Sequence, residues 1–297
     1  HAAHVTVYSR TPNWIIPRNN REYSAKEKAA LADEGNWYGL RRQQYHDALL
    51  WYRAHRNWPG GIAELRRRCL DQMHEAIADP ELIEALTPTY DPGCTRILLS
   101  DDYYPALAEP HVDLVAQGVT AFTETGVVST DGEERAADIV ILCTGYRVGA
   151  RADGGAAINV IGPEGVQLTD VLAARPEAYW GVAVPGFPNY FTVCGINGTL
   201  GYTPVTFTSE LHAEFIAAQI RRALDEGWST IEARRQAADP YNEAIQAELA
   251  TMSWAGPCRN FYVGRSGRNT AFFPGTFGQL RRRLWSDETL DGFRFGR

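Results

Sequence analysis

The sequence predicts an α/β fold with a large helical insertion, on three observations. The chain enters on an alternating, β-branched stretch, HVTVYSR (4–10), which reads as a strand. A block of helical periodicity occupies Ser24 to about Leu86. Strand patterns return at RILLS (96–100) and lead into a second region containing a long amphipathic helix.

Each element carries its own signals. RTPNWIIPRNN after the first strand is a loop, punctuated by Pro12 and Pro17. Ser24 and Glu27 have the spacing of a capping box. Ile62, Leu65, Cys69, Met73 and Ile77 recur on one helical face, with Arg66–Arg68 on the opposite, solvated one. TPTYDPGC closes the block. Several strands are expected between Val112 and Tyr146, with a hairpin at Asp131-Gly132. The last of them, Ile139 to Cys143, is apolar throughout, as for a strand buried on both faces. GFPNYFTVCGI (186–196) reads as another buried strand. The long helix follows, with Thr203 as N-cap, Pro204 in its first turn and Gly227 as its stop. Leu211, Phe215, Ile220 and Leu224 form its expected buried stripe. Asp239-Pro240 starts a further helix, and the tail from Cys258 is irregular and aromatic.

Composition argues against several function classes. The 297 residues are 44% hydrophobic and 22% charged, enough for one large or two medium globular domains. A net charge of −7 does not suit a general binder of nucleic acid or anionic membrane. No apolar run approaches the ~18 residues that span a bilayer. The five cysteines are scattered, with no CxxC pair, so neither a zinc site nor a disulfide framework is expected, and a reducing cytoplasm fits best. Neither HExxH nor GxSxG occurs, which removes the motif support for metal or serine hydrolysis.

Four stretches could carry chemistry, each with a plainer alternative. Arg10 and Thr11 end a strand where a doubly wound fold meets the ribose of a dinucleotide. An arginine there suits the 2′-phosphate of NADP, and the alternative is a surface loop. Arg96 opens a strand expected to be buried, so it needs a partner. That partner is a structural carboxylate such as Asp101 or Asp102, or else a bound or developing negative charge. CGINGTLGYTPV (194–205) runs a glycine-rich turn into a helix N-terminus, which is a ready anion site or simply a capped core helix. NFYVGRSGRNTAFFPGT (260–276) sets aromatics beside Arg265 and Arg268, as a pocket lining or as packing.

Taken in order, five segments resemble the C-terminal part of the class B flavoprotein monooxygenases, specifically the Baeyer–Villiger monooxygenases. They are VTVYSRTPNW, TPTYDPGCTRILLSDDYYPAL, ADIVILCTGY, VPGFPNYFTVCGINGTLG and NFYVGRSGRNTAFFPGT, and they span nearly the whole chain. The resemblance implies part of a two-dinucleotide-binding-domain flavoprotein fold. Residues 1–143 would be the remainder of the NADP-binding domain, with the insertion at about 20–92. Residues 144–297 would be the C-terminal part of the FAD-binding domain. It implies FAD and NADPH as cofactors and a flavin peroxide that inserts one oxygen of O2 beside a ketone carbonyl, giving an ester or lactone. Arg96 matches the family's active-site arginine. Arg10 and Thr11 match its NADP contacts, as Thr144, Gly145 and Tyr146 match the crossing between domains. Gly195, Asn197, Thr199 and Leu200 match a segment near the flavin, and Phe261 and Tyr262 match the tail's cofactor contacts.

Three departures stand out. Thr95 occupies a position that is commonly lysine in the family, Phe261 stands where tryptophan is usual, and Ile196 replaces a proline. No two glycines are spaced i and i+2, so there is no GxGxxG and the N-terminal FAD-binding Rossmann motif is lacking. The chain is therefore expected to be the C-terminal piece of a split or cleaved enzyme, active with an N-terminal FAD-binding fragment. Two other readings remain open: oxygenation at nitrogen or sulfur, and a non-catalytic partner subunit of a flavoprotein.

Overall fold

In the computed structural model the chain divides into two compact units, His1–Arg42 with Trp58–Tyr146, and Gln43–Asn57 with Arg147–Arg297. The structure describes residues 2–145, 158, 160–258, 260–264 and 266–297.

The first unit holds two short parallel ladders. Strands β1 (Val5–Tyr8), β2 (Ile15–Ile16), β3 (Leu98–Leu99) and β4 (Val112–Val115) pair as β1 with β4 and β2 with β3. An antiparallel meander follows, of β5 (Val119–Phe122), β6 (Gly126–Ser129) and β7 (Glu134–Ala136). Its second turn carries Gly132 at φ +84°, as the Asp131-Gly132 signal predicts. The helical block comprises α1 (Ala25–Leu31), α2 (Glu34–His55), α3 (Pro59–Ala76), α4 (Pro80–Leu86) and α5 (Tyr103–Leu107), with α2 from Gln43 on belonging to the second unit. Ser24 and Glu27 do form the capping box. Leu65, Cys69 and Met73 of α3 are fully buried, while Arg67 and Arg68 pair with Glu64 on the wet face. Cys94 is disulfide-bonded, which corrects the expectation of a chain without disulfides. Spacing along the sequence does not say which thiols meet in space.

A second correction concerns Ile139 to Cys143. The run is not in a strand, and Ile139, Val140, Ile141 and Leu142 are 81, 46, 80 and 67% exposed. Its composition suits a central strand, but the first unit supplies no ladder beside it among the described residues.

The second unit consists of α6 (Leu168–Ala174), α7 (Val205–Asp225), β8 (Thr230–Ala233), α8 (Arg235–Leu249), α9 (Phe277–Leu284), α10 (Asp287–Asp291) and β9 (Phe293–Gly296). Strands β8 and β9 pair antiparallel. Leu211 and Phe215 of α7 enter one core with Ile245, Leu280, Leu284 and Phe293.

Local details shift from expectation here. Helix α7 starts at Val205, because Pro204 is extended (φ −53°, ψ 138°) and is itself the N-cap, so Thr203 does not cap it. Gly227 ends it as expected, at φ +71°. The buried face runs through Thr208, Leu211, His212, Phe215, Gln219 and Ala223, whereas Ile220 and Leu224 are exposed. They lie one position past the stripe, which is about 100° round the helix. Helix α8 begins at Arg235 and carries Pro240 inside it. Burial of Ala238, Asn242, Ile245 and Leu249 outweighs the one lost backbone bond. GFPNYFTVCGI is no strand, since Asn189 and Cys194 turn the chain at φ +59° and +55°.

The phase of α7 is measurable. Phe215→Ala should cost about 3–5 kcal/mol in denaturant unfolding, and Leu224→Ala less than about 0.5 kcal/mol. Comparable losses at both positions would contradict the buried stripe described here.

Candidate functional site

In the first unit a chain of three hydrogen bonds organises the segments that bear the two arginines. Thr95 Oγ1 donates to Tyr90 Oη at 3.1 Å, and Tyr90 Oη donates to the Pro12 carbonyl at 2.9 Å. Trp14, fully buried, donates Nε1 to the Tyr90 carbonyl at 2.8 Å. Tyr90 thus joins the loop after Arg10 and Thr11 to the residue before Arg96. Burial pushes its phenol up, so it stays a donor at neutral pH. Sequence reading missed Tyr90, whose only local mark is its place in TPTYDPGC.

Arg96 itself is exposed, which corrects the expectation of a buried arginine. The strand it precedes is two residues long and open, with Leu98 39% and Leu99 54% exposed. Neither carboxylate offered as its structural partner takes that role. Asp101 accepts the backbone N–H groups of Arg18, Asn19 and Asn20, which hold its carboxyl below the usual range. Asp102 accepts from Ser100 Oγ at 2.7 Å. Among the described residues Arg96 has no ion pair, and the same holds for the exposed Arg10. Thr144 and Gly145 are exposed too, Gly145 at φ +96°, and Tyr146 lies outside the described residues.

In the second unit the Cys194–Leu200 turn is laced to the tail. Asn197, fully buried at φ +53°, donates Nδ2 to the carbonyls of Asn269 and Phe272 at 2.8 and 2.9 Å. Its Oδ1 accepts from Gln246 Nε2 at 3.2 Å. Thr199 Oγ1 donates to the Ala271 carbonyl at 2.6 Å. The Asn197 N–H bonds the Thr270 carbonyl, and the Thr270 N–H bonds that of Tyr262, so Asn197 and Tyr262 share one tail residue. Leu200 is buried, and Gly195 is partly open. Tyr262 is buried with its ring 4.4 Å from that of Phe261, which is 57% exposed. A Cβ on Gly195 would press on the Thr192 hydroxyl and the Gly181 carbonyl, so this turn is built around its glycine.

His212 was also missed. Its Nδ1 accepts the Cys194 N–H at 3.1 Å, and its Cε1 lies 2.9 Å from where a Cβ on Gly198 would sit. The ring therefore supports both ends of the turn. Since Nδ1 accepts, the neutral ring carries its proton on Nε2, which is buried with no partner among the described residues. The available signal was its place in the 208–211–215–219 helical register. Helix α7 has no side-chain cap, and the N–H groups of Val205 and Thr206 find no protein acceptor among the described residues. That leaves a partial positive charge at an open helix end.

Burial lowers His212 to about 4, against 6.5 for the free side chain. A histidine depressed in the folded state contributes stability above its unfolded value, and this is lost as pH falls toward its folded value. The chain should weaken between pH 6.5 and 4 by on the order of 3 kcal/mol, and His212→Asn should flatten that part of the curve. A pH–stability profile with the same slope in the variant would remove His212 as its source.

Comparison with known proteins places this arrangement. No family model matches the chain. It is 34% identical over 288 residues to a Baeyer–Villiger monooxygenase of Streptomyces coelicolor, covering 94% of this chain and 54% of that protein. It is 31% identical over 315 residues to the FAD-binding monooxygenase ktnD of Aspergillus niger, covering 98% of this chain and 49% of that one. The chain thus spans about half the length of the curated relatives it matches. The fold matches a crystal structure of OTEMO in complex with FAD and NADP with a TM-score of 0.82 at 21% identity, over 99% of this chain and 62% of that one. Among the described residues no helix is long and apolar enough to cross a membrane.

Proposed function

Since the chain belongs to the Baeyer–Villiger monooxygenase family, we propose that it is the C-terminal portion of an FAD- and NADPH-dependent monooxygenase. The reaction inserts one oxygen atom of O2 beside a ketone carbonyl, giving an ester or lactone. In this reading the first unit is the remainder of the NADP-binding domain and the second is the C-terminal part of the FAD-binding domain. The N-terminal FAD-binding part, as a separate fragment or chain, completes the enzyme.

The observation that supports this best is Arg96, exposed and without a carboxylate partner among the described residues. A guanidinium kept free of structural ion pairs is available to an anionic or polarised group. FAD and NADPH, when bound, would supply the activation of oxygen and the reducing equivalents. The chain's residues hold and polarise. Arg96 would stabilise negative charge developing on the ketone oxygen. Arg10 and Thr11 would take the 2′-phosphate of NADPH. The open N-terminus of α7 would favour an anionic ring beside the Gly195–Leu200 turn. Thr95, hydrogen-bonded to Tyr90, adds no second cation, and Phe261 offers no indole donor. Discrimination between NADPH and NADH therefore falls to Arg10.

The test is product analysis on the assembled enzyme, offered a ketone and a sulfide. Ester from the ketone is expected. Sulfoxide alone would favour oxygenation at heteroatoms, and an assembled protein that binds no FAD would favour a non-catalytic subunit. Arg96→Ala should lower ester formation by about 100-fold or more with FAD still bound. Undiminished turnover would remove Arg96 from the chemistry. Arg10→Ala should raise the KM for NADPH by roughly tenfold while changing that for NADH little.

A further inference from the structure

Arg268 stands beside the aromatic tail, and its guanidinium is committed to a carboxylate. Its Nη2 lies 2.9 Å from Glu177 Oε1. The other oxygen of that carboxylate, Oε2, lies 2.9 Å from Arg175 Nη2, which also donates to Asp239 Oδ1 at 3.3 Å. Glu177 thus takes one arginine on each oxygen. Its side chain is only 11% exposed, so water screens it little, unlike the open Arg67–Asp71 pair of α3. A carboxylate so enclosed is costly to leave unpaired.

What the pair holds is a turn of the tail. Val263 and Asn269 form an antiparallel bridge. Inside it the Gly264 N–H donates to the Arg268 carbonyl, and the Gly267 N–H donates to the Gly264 carbonyl, both at 3.0 Å. These bonds fix the shape of the turn but not its direction. Direction comes from two anchors on adjacent residues. Asn269 is bonded through its backbone N–H and carbonyl to Gln246 of α8. Arg268 is tied by charge to Glu177, just past the end of α6. One anchor alone would leave a hinge, and the second removes it. Tyr262 directly precedes the turn, and the ring of the exposed Phe261 rests against that of Tyr262, so the placement of both follows from the turn behind them.

We propose that Glu177 is a positioning residue for the Phe261–Tyr262 pair, acting through Arg268. This rests on the reading above that the tail pair contacts the nicotinamide cofactor. Glu177 touches neither cofactor nor substrate. It sets the angle at which the tail presents its two rings, and a small misplacement of a contact residue is enough to weaken binding. Arg268 is accordingly neither a ligand of the cofactor nor simple packing, but the lever between Glu177 and the tail.

The test uses Glu177→Gln and Arg268→Gln, which break the contact from either side, in the complete flavoprotein. Amide exchange at Gly264 and Gly267 should quicken about tenfold in each variant, with the amides of α7 unchanged. The KM for NADPH should rise about fivefold with kcat within about twofold of the parent, a split that a merely structural loss would not produce. The double variant should match either single one, since both remove one contact. Unchanged exchange at the two glycines overturns the proposal, as do additive effects in the double variant. Phe261→Ala separates this from the reading beneath it. If Phe261→Ala raises the KM for NADPH and Glu177→Gln does not, the positioning role is overturned. If neither raises it while exchange quickens, the tail's cofactor contact fails and the hold of Glu177 on the turn stands.

Discussion

Buried backbone that belongs to no helix or strand must still find hydrogen-bond partners, and the second unit depends on how it meets that demand. Two irregular segments, 194–200 and 269–273, lie against each other largely buried. Among the described residues one isolated bridge, Thr199 with Phe272, joins them as strands would. Side chains do the rest. Asn197 satisfies two carbonyls of the tail, Thr199 a third, and Gln246 closes the set by bonding both Asn197 and the Asn269 carbonyl. A buried polar group without its partner costs more than a satisfied one gains. The lattice is therefore stable when complete and intolerant of single deletions, which makes it a rigid support for a turn with two non-glycine residues at positive φ.

The first unit solves a different problem. Its parallel strands come in pairs, and the helices of its insertion cover only part of them. Ile15 is buried together with Met73, Ile77 and Leu86, so one face of the β2–β3 ladder is served by α3 and α4. The partner strand β3 is open. Arg96 stands at that open end, and its exposure and that of the sheet have one origin.

Much of the architecture was legible because its signals are local. The Ser24–Glu27 box, the Leu65–Cys69–Met73 stripe, Gly132 and Gly227 each need only near neighbours, and each forms as the spacing implies. The site was legible as a set of segments, through resemblance, but its mechanics were not. Tyr90, His212 and Gln246 act on residues 18 to 78 positions away, and no periodicity reports that. The errors have the same character. Ile220 and Leu224 suit a buried stripe in composition and miss it by one position, and Asp239-Pro240 has the signature of a helix start although tertiary burial carries α8 across it. Ile139–Cys143 has the composition of a buried strand without its environment, since a strand's burial depends on its neighbours.

The bare start of α7 carries a further consequence. A serine, threonine or aspartate cap is worth about 1 kcal/mol to a helix, and here a proline stands in that place without one. A 21-residue helix with a broad buried face can forgo that contribution. A cap would also occupy the very donors that face outward at the turn. An acid or hydroxyl residue at position 204 would add that contribution and close the end of the dipole, whereas the proline leaves it accessible.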